Sequence, residues 1–405
     1  MTLFSALRIR AFALLWMGQT VSRLGDGLFT VALSWWVLEQ TGSAAAMGLV
    51  QIFRILPNLI FLLMGGVLAD RLPRLRLMVA SDGLRALLLV VVTILTAAHA
   101  LQIWHIYIAA LIFGFVDAFF MPAYSAVIPD IVPEAVRPSA NSLTALSGQL
   151  SIVLGTSLGG VIVAIGGSGL AFGLDGLSFF ISAACLLPIL GRVVLPARSA
   201  DALTPNAIRE LREGLHTVLH TPWLGITIGL AAIANMFVGS VFGVATPFLV
   251  KDTLHADASA YGLILAMFSI GAIIGAVGLG SMGTLKHRGL LTYGFWIVAS
   301  LVLALTGLAS TVALVCMLTL LLGVLLSGGQ LLWTNIMQAL VPAQLLGRVS
   351  SVDQFGSTVL MPLGFGVAGW ATGAVGAVPI FIVSGLASAG VMALGLLSRS
   401  VREVQ

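Results

Sequence analysis

The stretch Gly66-Val67-Leu68-Ala69-Asp70-Arg71-Leu72-Pro73-Arg74-Leu75-Arg76 decides the fold of this chain. It is a short charged turn between two long apolar runs, residues 46–69 and 77–98. Each run is long enough to cross a hydrocarbon core of about 30 Å as a helix. Because the connection is so short, the two runs must form an antiparallel helical hairpin in a membrane, with the charges of the turn in water.

The composition indicates the same class of protein. Of the 405 residues, 59% are hydrophobic and 8% are charged, against about 25% charged in an ordinary soluble domain. Cys185 and Cys316 both lie in apolar runs, which favours small core residues over a disulfide or a metal pair. The net charge of +4 comes from basic residues dispersed among turns, so we expect no nucleic-acid partner. The sequence predicts an all-α membrane protein.

Twelve apolar stretches are candidates for membrane spans. They cover residues 11–38, 45–69, 77–98, 104–128, 141–165, 170–193, 223–249, 259–283, 290–309, 312–340, 352–373 and 376–398. The predicted organisation is a six-helix bundle in residues 1–194, a cytoplasmic linker with an amphipathic helix in residues 195–222, and a second six-helix bundle in residues 223–405. We expect a monomer.

The two halves share a sequence pattern. Val132-Pro133 and Val341-Pro342 follow predicted spans 4 and 10 at an offset of 342 − 133 = 209 residues. The same offset relates Gly114 to Gly323 and Gly155 to Gly364, while chance repetition of glycines is the alternative. Parallel repeats with a site between them at mid-depth are known among transporters.

The basic residues predict the orientation. On the side of the membrane opposite the two termini, the predicted topology places a single basic side chain, Lys251. Sixteen fall on the other side, at Arg8, Arg10, Arg71, Arg74, Arg76, Arg85, Arg137, Arg192, Arg198, Arg209, Arg212, Lys286, Arg288, Arg348, Arg399 and Arg402. Because cytoplasmic loops carry the excess of lysine and arginine, both termini are predicted to face the cytoplasm. The predicted location is a bacterial-type cell membrane.

The opening turn, read as G-x-L-A-D-R-x-x-R, resembles the signature between spans 2 and 3 of the major facilitator superfamily. Pro73 replaces the usual glycine and Leu75 the usual second basic residue. Residues 209–215 with 221–224, and residues 128–133, resemble the branch of drug:proton antiporters that contains macrolide-efflux and enterobactin-exporter proteins. The resemblance covers nearly the whole chain and implies two pseudo-symmetric bundles of six helices.

The resemblance also implies a gate at the charged turn. In the family, the acid of this turn binds near the end of a second-half helix and holds the outward-facing state. The corresponding gating residues here are Gly66, Asp70, Arg71, Arg74 and Arg76, with Arg348 as a partner from the second half.

Charges within the predicted spans are candidates for proton coupling, since each is costly in a membrane and functional by default. They are Arg23, Asp26, Arg54, Asp117 and Asp175. Asp26 is the first choice as proton carrier, because Arg23 and Arg54 at similar depth could alter its protonation. Asp117 is the alternative carrier, and Asp175 lies nearer the outer surface. A permanent Asp26–arginine pair that only neutralises the span is the competing interpretation.

Neutral polar side chains form stripes that are predicted to line a substrate cavity. The candidates are Gln19, Thr30, Gln51, Asn58, Asn235, Ser327, Gln330, Thr334 and Gln338. The same stripes could instead join helices to one another. The second half carries essentially no deep charge, with Asp353 at the cytoplasmic edge of predicted span 11.

Glycines are predicted to allow close helix packing. The run Gly155-Thr156-Ser157-Leu158-Gly159-Gly160 resembles the glycine signature of drug antiporters, with Thr156 in place of their proline. Gly271 and Gly275 have the same i, i+4 spacing as Gly155 and Gly159. Close packing and a gating role remain open as alternatives.

Together these features predict a secondary transporter that exports a small amphipathic molecule, of drug, macrolide or siderophore type, in exchange for protons. The expected partners are this substrate, protons and the lipid bilayer. A lipid or lysolipid flippase, an importer and a non-transporting receptor are the alternatives. The sequence has no phosphate-binding loop, nucleophile elbow or metal-ligand cluster, so we expect neither an enzyme nor a cofactor.

Overall fold

The structure is a computed structural model that describes residues 4–69, 73–190, 207–281 and 286–404. The α-helices are α1 (Arg10–Thr41), α2 (Ala44–Ala69), α3 (Arg74–Ala97), α4 (Ile103–Ile131), α5 (Arg137–Leu186), α6 (Ala207–His220), α7 (Pro222–Ser240), α8 (Thr246–Phe248), α9 (Ala258–Gly280), α10 (Arg288–Thr306), α11 (Val312–Leu340), α12 (Ala343–Thr358), α13 (Met361–Val375), α14 (Ala377–Gly395) and α15 (Arg399–Arg402). No strand occurs in the described residues.

Ten stretches of the described chain are long and apolar enough to cross a membrane. The helix α5 is counted once among them, although Gly167, with a φ of 74°, divides it into two limbs. The helix α1, which carries Arg23 and Asp26, is 32 residues long and is not among the ten. The prediction of an all-α, multi-pass membrane protein is confirmed.

The segment after α7 departs from α-helical geometry. Val241–Ala245 and Leu249–Thr253 are π-helical and flank α8. Pro247 lacks a backbone N–H and cannot continue an α-helical ladder. The hydroxyl of Thr246 donates to the carbonyl of Val241 at 3.0 Å, which satisfies one oxygen in the widened turn. Such π-helical segments are frequent at functional sites.

The first of two compact units contains Met1–Thr41, Phe53–Ala202 and Asp257–Ala266. Its main packing joins α1 to both limbs of α5. A Cβ atom on Gly27 would lie 2.7 Å from the Cα atom of Gly155, so only glycine permits this separation. The Phe29 ring stacks on the ring of Phe113 at 4.8 Å between centroids, which fixes α1 against α4.

The second compact unit contains Gly42–Ile52, Leu203–Ala256 and Met267–Gln405. Within it α10 packs between α11 and α14. A Cβ atom on Gly385 would lie 2.5 Å from the backbone nitrogen of Ala304. The beginning of α2 packs on α13, where a Cβ atom on Gly48 would lie 2.5 Å from the carbonyl oxygen of Phe365. The unit thus includes the first turns of α2 as well as the later helices.

Candidate functional site

An ion pair between a buried arginine and a partly exposed aspartate joins α3 to α4 in the first unit. The guanidinium of Arg85 donates to the carboxylate of Asp117 at 2.5 Å. The rings of Phe120 and Phe179 lie 4.8 and 5.3 Å from the Arg85 guanidinium carbon, so the cation is also held by aromatic faces. The pair places a positive and a negative charge inside apolar helices.

The expectation that Arg85 lies in a cytoplasmic turn is wrong. The helix α3 is continuous from Arg74 to Ala97, and Arg85 is eleven residues from its beginning. At 1.5 Å per residue, that distance is roughly 16 Å along the helix axis. The predicted span 77–98 already contained Arg85, and this was the signal that sequence reasoning missed.

Asp82, one turn before Arg85, is a second buried charge that sequence reasoning missed. Its side chain is fully buried, and its Oδ2 atom accepts from the hydroxyl of Ser182 at 2.7 Å. That hydroxyl accepts in turn from the amide of Gln19 at 2.9 Å. Gln19, predicted to line a cavity, therefore lies in a buried contact between α1, α3 and α5. The Oδ1 atom of Asp82 has no hydrogen-bond partner among the described residues.

Asp175 lies in the second limb of α5 and faces α1. It is fully buried, and its Oδ1 atom accepts from the hydroxyl of Ser178 at 3.1 Å. Its Oδ2 atom is without a hydrogen-bond partner in the described chain. Gly25 on α1 makes room for this acid, because a Cβ atom there would collide with Ser178 at 2.8 Å and with the carboxylate.

Asp26 differs from the other acids of this core. Its side chain is half-buried, and no hydrogen bond or ion pair joins its carboxylate to another described residue. The neighbouring Arg23 instead places its guanidinium over the ring of Tyr124, 5.0 Å from the centroid. Thr30 donates its hydroxyl to the backbone carbonyl of Asp26 at 2.8 Å. The structure therefore has no Asp26–arginine pair in the part of the chain that it describes.

The three polar residues of α2 predicted to be functional do not share one site. Arg54 is half-buried, and its backbone packs against Gly114, where a Cβ atom would lie 2.9 Å from the Arg54 carbonyl carbon. Asn58 is half-buried one turn later. Gln51 belongs to the second unit and donates to the carbonyl of Gly243, in the π-helical segment, at 3.2 Å.

A cavity of about 550 Å³ lies in the second unit, between α7, α9, α10, α11, α12 and α14. Asn235, Ser327 and Gln330, three of the side chains predicted to line a substrate cavity, are among its lining residues. Thr334 and Gln338 are not among its lining residues: the Thr334 hydroxyl donates to the carbonyl of Gln330 at 2.9 Å, and Gln338 is exposed. The cavity has the size of a small-molecule site.

Asp353 also lines this cavity, together with Trp296 and Trp333. Its Oδ2 atom accepts from the indole nitrogen of Trp333 at 3.2 Å, and its Oδ1 atom faces the hydroxyl of Ser357 at 3.4 Å. The helix α12 begins at Ala343, so Asp353 lies ten residues from its beginning and forms part of the cavity wall.

The described part of the gating turn joins α3 to α4. Gly66 lies in α2, while Asp70 and Arg71 fall outside the described residues. Arg74 donates to the carboxylate of Asp130 at 2.6 Å, and Arg76 is exposed. Separately, in the second unit, Arg348 forms a short ion pair with Glu213 of α6.

The five predicted packing glycines all lie at close approaches between helices. In the first unit, Cβ atoms on Gly155 and Gly159 would lie 2.5 Å from the Leu24 carbonyl oxygen and 3.0 Å from the Leu28 Cα atom. Gly160 instead faces α9, where a Cβ atom on Gly160 would lie 2.6 Å from the carbonyl oxygen of Ala258. In the second unit, Gly271 and Gly275 face the backbone of α11 at Leu320 and Val324.

Charges inside apolar helices and a cavity of small-molecule size are features of membrane transport proteins. In the described residues, no group of three or more histidine, cysteine, aspartate or glutamate side chains could hold a metal ion. The chain belongs to the major facilitator superfamily, in the family described as transmembrane secretion effectors, whose sequence profile matches residues 1–403.

Characterised relatives are efflux proteins. Macrolide efflux protein A of Streptococcus pyogenes is 25% identical over 378 residues, which are 92% of each chain. The enterobactin exporter EntS of Citrobacter koseri is 26% identical over 87% of this chain and 85% of its own. The multidrug efflux pump Tap of Mycolicibacterium fortuitum is 26% identical over 89% of each chain. The predicted resemblance to this superfamily is confirmed.

Among solved structures, a variant of the nucleoside transporter NupG has the same fold. The TM-score is 0.74 at 11% identity, and the match covers 96% of this chain and 99% of that one. At this identity the likeness concerns the fold alone.

Proposed function

We propose that the protein is a secondary transporter that exports a small amphipathic molecule in exchange for protons, by alternating access of a substrate site to the two sides of the membrane. Twelve spans fit this proposal, if the two limbs of α5 cross the membrane separately and α1 also crosses it. Two bundles of six helices would then correspond to residues 1–194 and 223–405, joined by a linker at 195–222 that contains α6.

The observation that carries the proposal is the different chemistry of the two polar regions. The first unit holds charged side chains inside its helices. Among them, the Asp26 carboxylate makes no hydrogen bond or ion pair in the described chain, although nearby arginines, Arg85 above all, act on it at longer range. The second unit holds the cavity, whose lining is neutral apart from Asp353 and includes the rings of Trp296 and Trp333. A carboxylate without a fixed counter-ion can exchange protons, while a mixed polar and apolar cavity suits an amphipathic solute.

Export is favoured because the relatives named above carry efflux or export in their names. The proton gradient would supply sufficient energy for it. At a membrane potential of roughly 150 mV, one proton entering contributes about 3.5 kcal/mol. That energy could sustain a concentration ratio of roughly several hundred-fold for a neutral solute.

The proposed orientation keeps both termini in the cytoplasm. With Arg85 assigned to the interior of α3, the remaining basic residues still divide fifteen to one, because 16 − 1 = 15. Such an imbalance is the signal that orients multi-pass proteins. The membrane would be the bacterial cell membrane, and the functional unit a monomer.

Transport into inverted membrane vesicles tests the proposal. The vesicles expose the cytoplasmic face, so an exporter should accumulate substrate in their lumen when that lumen is acidic. A panel of antibiotics, dyes and siderophores should reveal at least one compound whose uptake stops when the pH gradient is collapsed. Vesicles without the protein are the control.

Other outcomes would favour the alternatives. Substrate leaving preloaded inverted vesicles against its concentration gradient would indicate an importer, and movement of labelled lysolipid between leaflets would indicate a flippase. Ligand binding without any flux would indicate a receptor. Accumulation that persists after the pH gradient and the membrane potential are both collapsed would contradict proton coupling.

A further inference from the structure

The cavity of the second unit combines one acid with aromatic and apolar side chains. Ala231, Val238, Leu326 and Met392 contribute apolar surface, and Asp353 contributes the carboxylate. No lysine, arginine or histidine is present among the described residues that line it. An anionic ligand would therefore meet a carboxylate there and no basic side chain in the lining.

The hydrogen-bond donors to the Asp353 carboxylate are neutral groups. The indole of Trp333 donates to one carboxylate oxygen at 3.2 Å, and the Ser357 hydroxyl lies 3.4 Å from the other. No ion pair joins the acid to another described residue. A carboxylate removed from bulk water is costly unless a positive charge accompanies it, so this acid is suited to a positively charged ligand.

Two tryptophans form the wall beside this acid. The rings of Trp296 and Trp333 lie 6.3 Å apart, and Trp223 supports Trp333 from behind in an edge contact at 5.7 Å. Gly329 makes room for Trp296, because a Cβ atom there would lie 2.5 Å from the Trp296 indole nitrogen. Trp296 is half-buried, and tryptophan is the aromatic side chain that attracts cations most strongly.

We infer that this cavity binds an amphipathic monovalent organic cation, with Asp353 as its counter-ion and Trp296 as an aromatic contact. The inference rests on the proposed function and narrows its substrate class. The apolar wall would accept the body of the ligand. Asn235 and Gln330, which also line the cavity, would contact its polar groups.

A pair of probes with matched shape tests this charge preference. Tetraphenylphosphonium and tetraphenylborate have nearly the same size and apolar surface but opposite charge. Calorimetric titration of the purified protein in nanodiscs, with empty nanodiscs as the blank, should give at least tenfold tighter binding of the phosphonium. Equal affinity for the two ions, or tighter binding of the borate, would overturn the inference without any variant being needed.

Substitution then assigns the preference to named residues. In Asp353→Asn the affinity for tetraphenylphosphonium should fall about tenfold or more, while the affinity for neutral triphenylphosphine oxide should change less than threefold. Asp252→Asn, at an exposed acid of the same unit, should match the wild type. Trp296→Leu, which keeps an apolar side chain, should also weaken phosphonium binding. An unchanged phosphonium affinity in both Asp353→Asn and Trp296→Leu would contradict the assignment.

The inference and the proposed function can fail separately. Phosphonium binding that depends on Asp353, without transport in vesicles, would leave the site standing and remove proton-coupled export. Export of neutral compounds driven by the pH gradient, with no preference for the phosphonium over the borate, would leave export standing and remove the cation site.

Discussion

The guanidinium of Arg85 lies 2.5 Å from the carboxylate of Asp117 and joins α3 to α4. The Arg85 side chain is almost entirely buried, while that of Asp117 is about one-third exposed. Since arginine cannot lose its proton in a protein, its charge must be balanced in every state in which it remains buried. In this conformation the pair therefore neutralises a buried arginine, whereas Asp26 makes no ion pair in the described chain.

This pair should be important for stability. Asp117→Asn leaves the buried Arg85 charge without its counter-ion, and we expect a loss of about 3 kcal/mol in the free energy of unfolding. Urea or SDS titration in mixed micelles would measure it. The double variant Arg85→Met/Asp117→Leu should be more stable than Asp117→Asn alone. Glu134→Gln, at an exposed acid, should stay within about 0.5 kcal/mol of the wild type.

Asp26→Asn should abolish transport driven by a pH gradient but leave substrate binding and downhill exchange measurable. The reason is that an amide of the same shape can neither gain nor release the coupled proton. Uphill uptake and counterflow in inverted vesicles would separate the two activities. If Asp26→Asn and Asp117→Asn both still pump uphill, coupling runs through other groups, and the buried Asp175 and Asp82 become the next candidates.

Asp70→Asn should reduce transport and favour the inward-open state, with folding largely intact. This prediction comes from the sequence motif, since Asp70 lies outside the described residues. Transport at matched expression, together with accessibility of engineered cysteines from the cytoplasmic side, would measure both effects. Glu134→Gln again serves as the control acid. Wild-type transport by Asp70→Asn would refute a gating role.

Gly160→Val should disturb the contact between α5 and α9. The new Cβ atom would lie 2.6 Å from the carbonyl oxygen of Ala258, so a backbone must shift, at a cost of about 1–3 kcal/mol. Gly278→Val is the matched control, because nothing lies within 4 Å of a Cβ atom there. Thermal unfolding should show a lower midpoint for Gly160→Val only. Equal midpoints for the two variants would contradict the packing role of Gly160.

The helical, multi-pass class of the protein could be predicted from the lengths of its apolar runs and from the charged turn between two of them. The thickness of a bilayer requires about 20 apolar residues per helix, and no backbone group can remain unpaired inside it. The charged turn at residues 66–76 and the apolar runs around it therefore predicted a multi-pass helical membrane protein. The same reasoning predicted that glycines such as Gly155 lie where helices approach closely.

The partners of polar residues inside the membrane were decided by the tertiary structure. Hydropathy measures the length of a helix but not its rotation toward a neighbour, so Arg85 could not be assigned to Asp117 from the sequence. For the same reason the contact of Gln19 with Ser182 could not be predicted from the sequence. Asp353 becomes a cavity residue because α12 packs against α6, α7 and α11 in a particular rotation. The membrane-spanning helices can be predicted because the bilayer requires long apolar runs. The sites cannot, because they depend on which faces of the helices pack against each other.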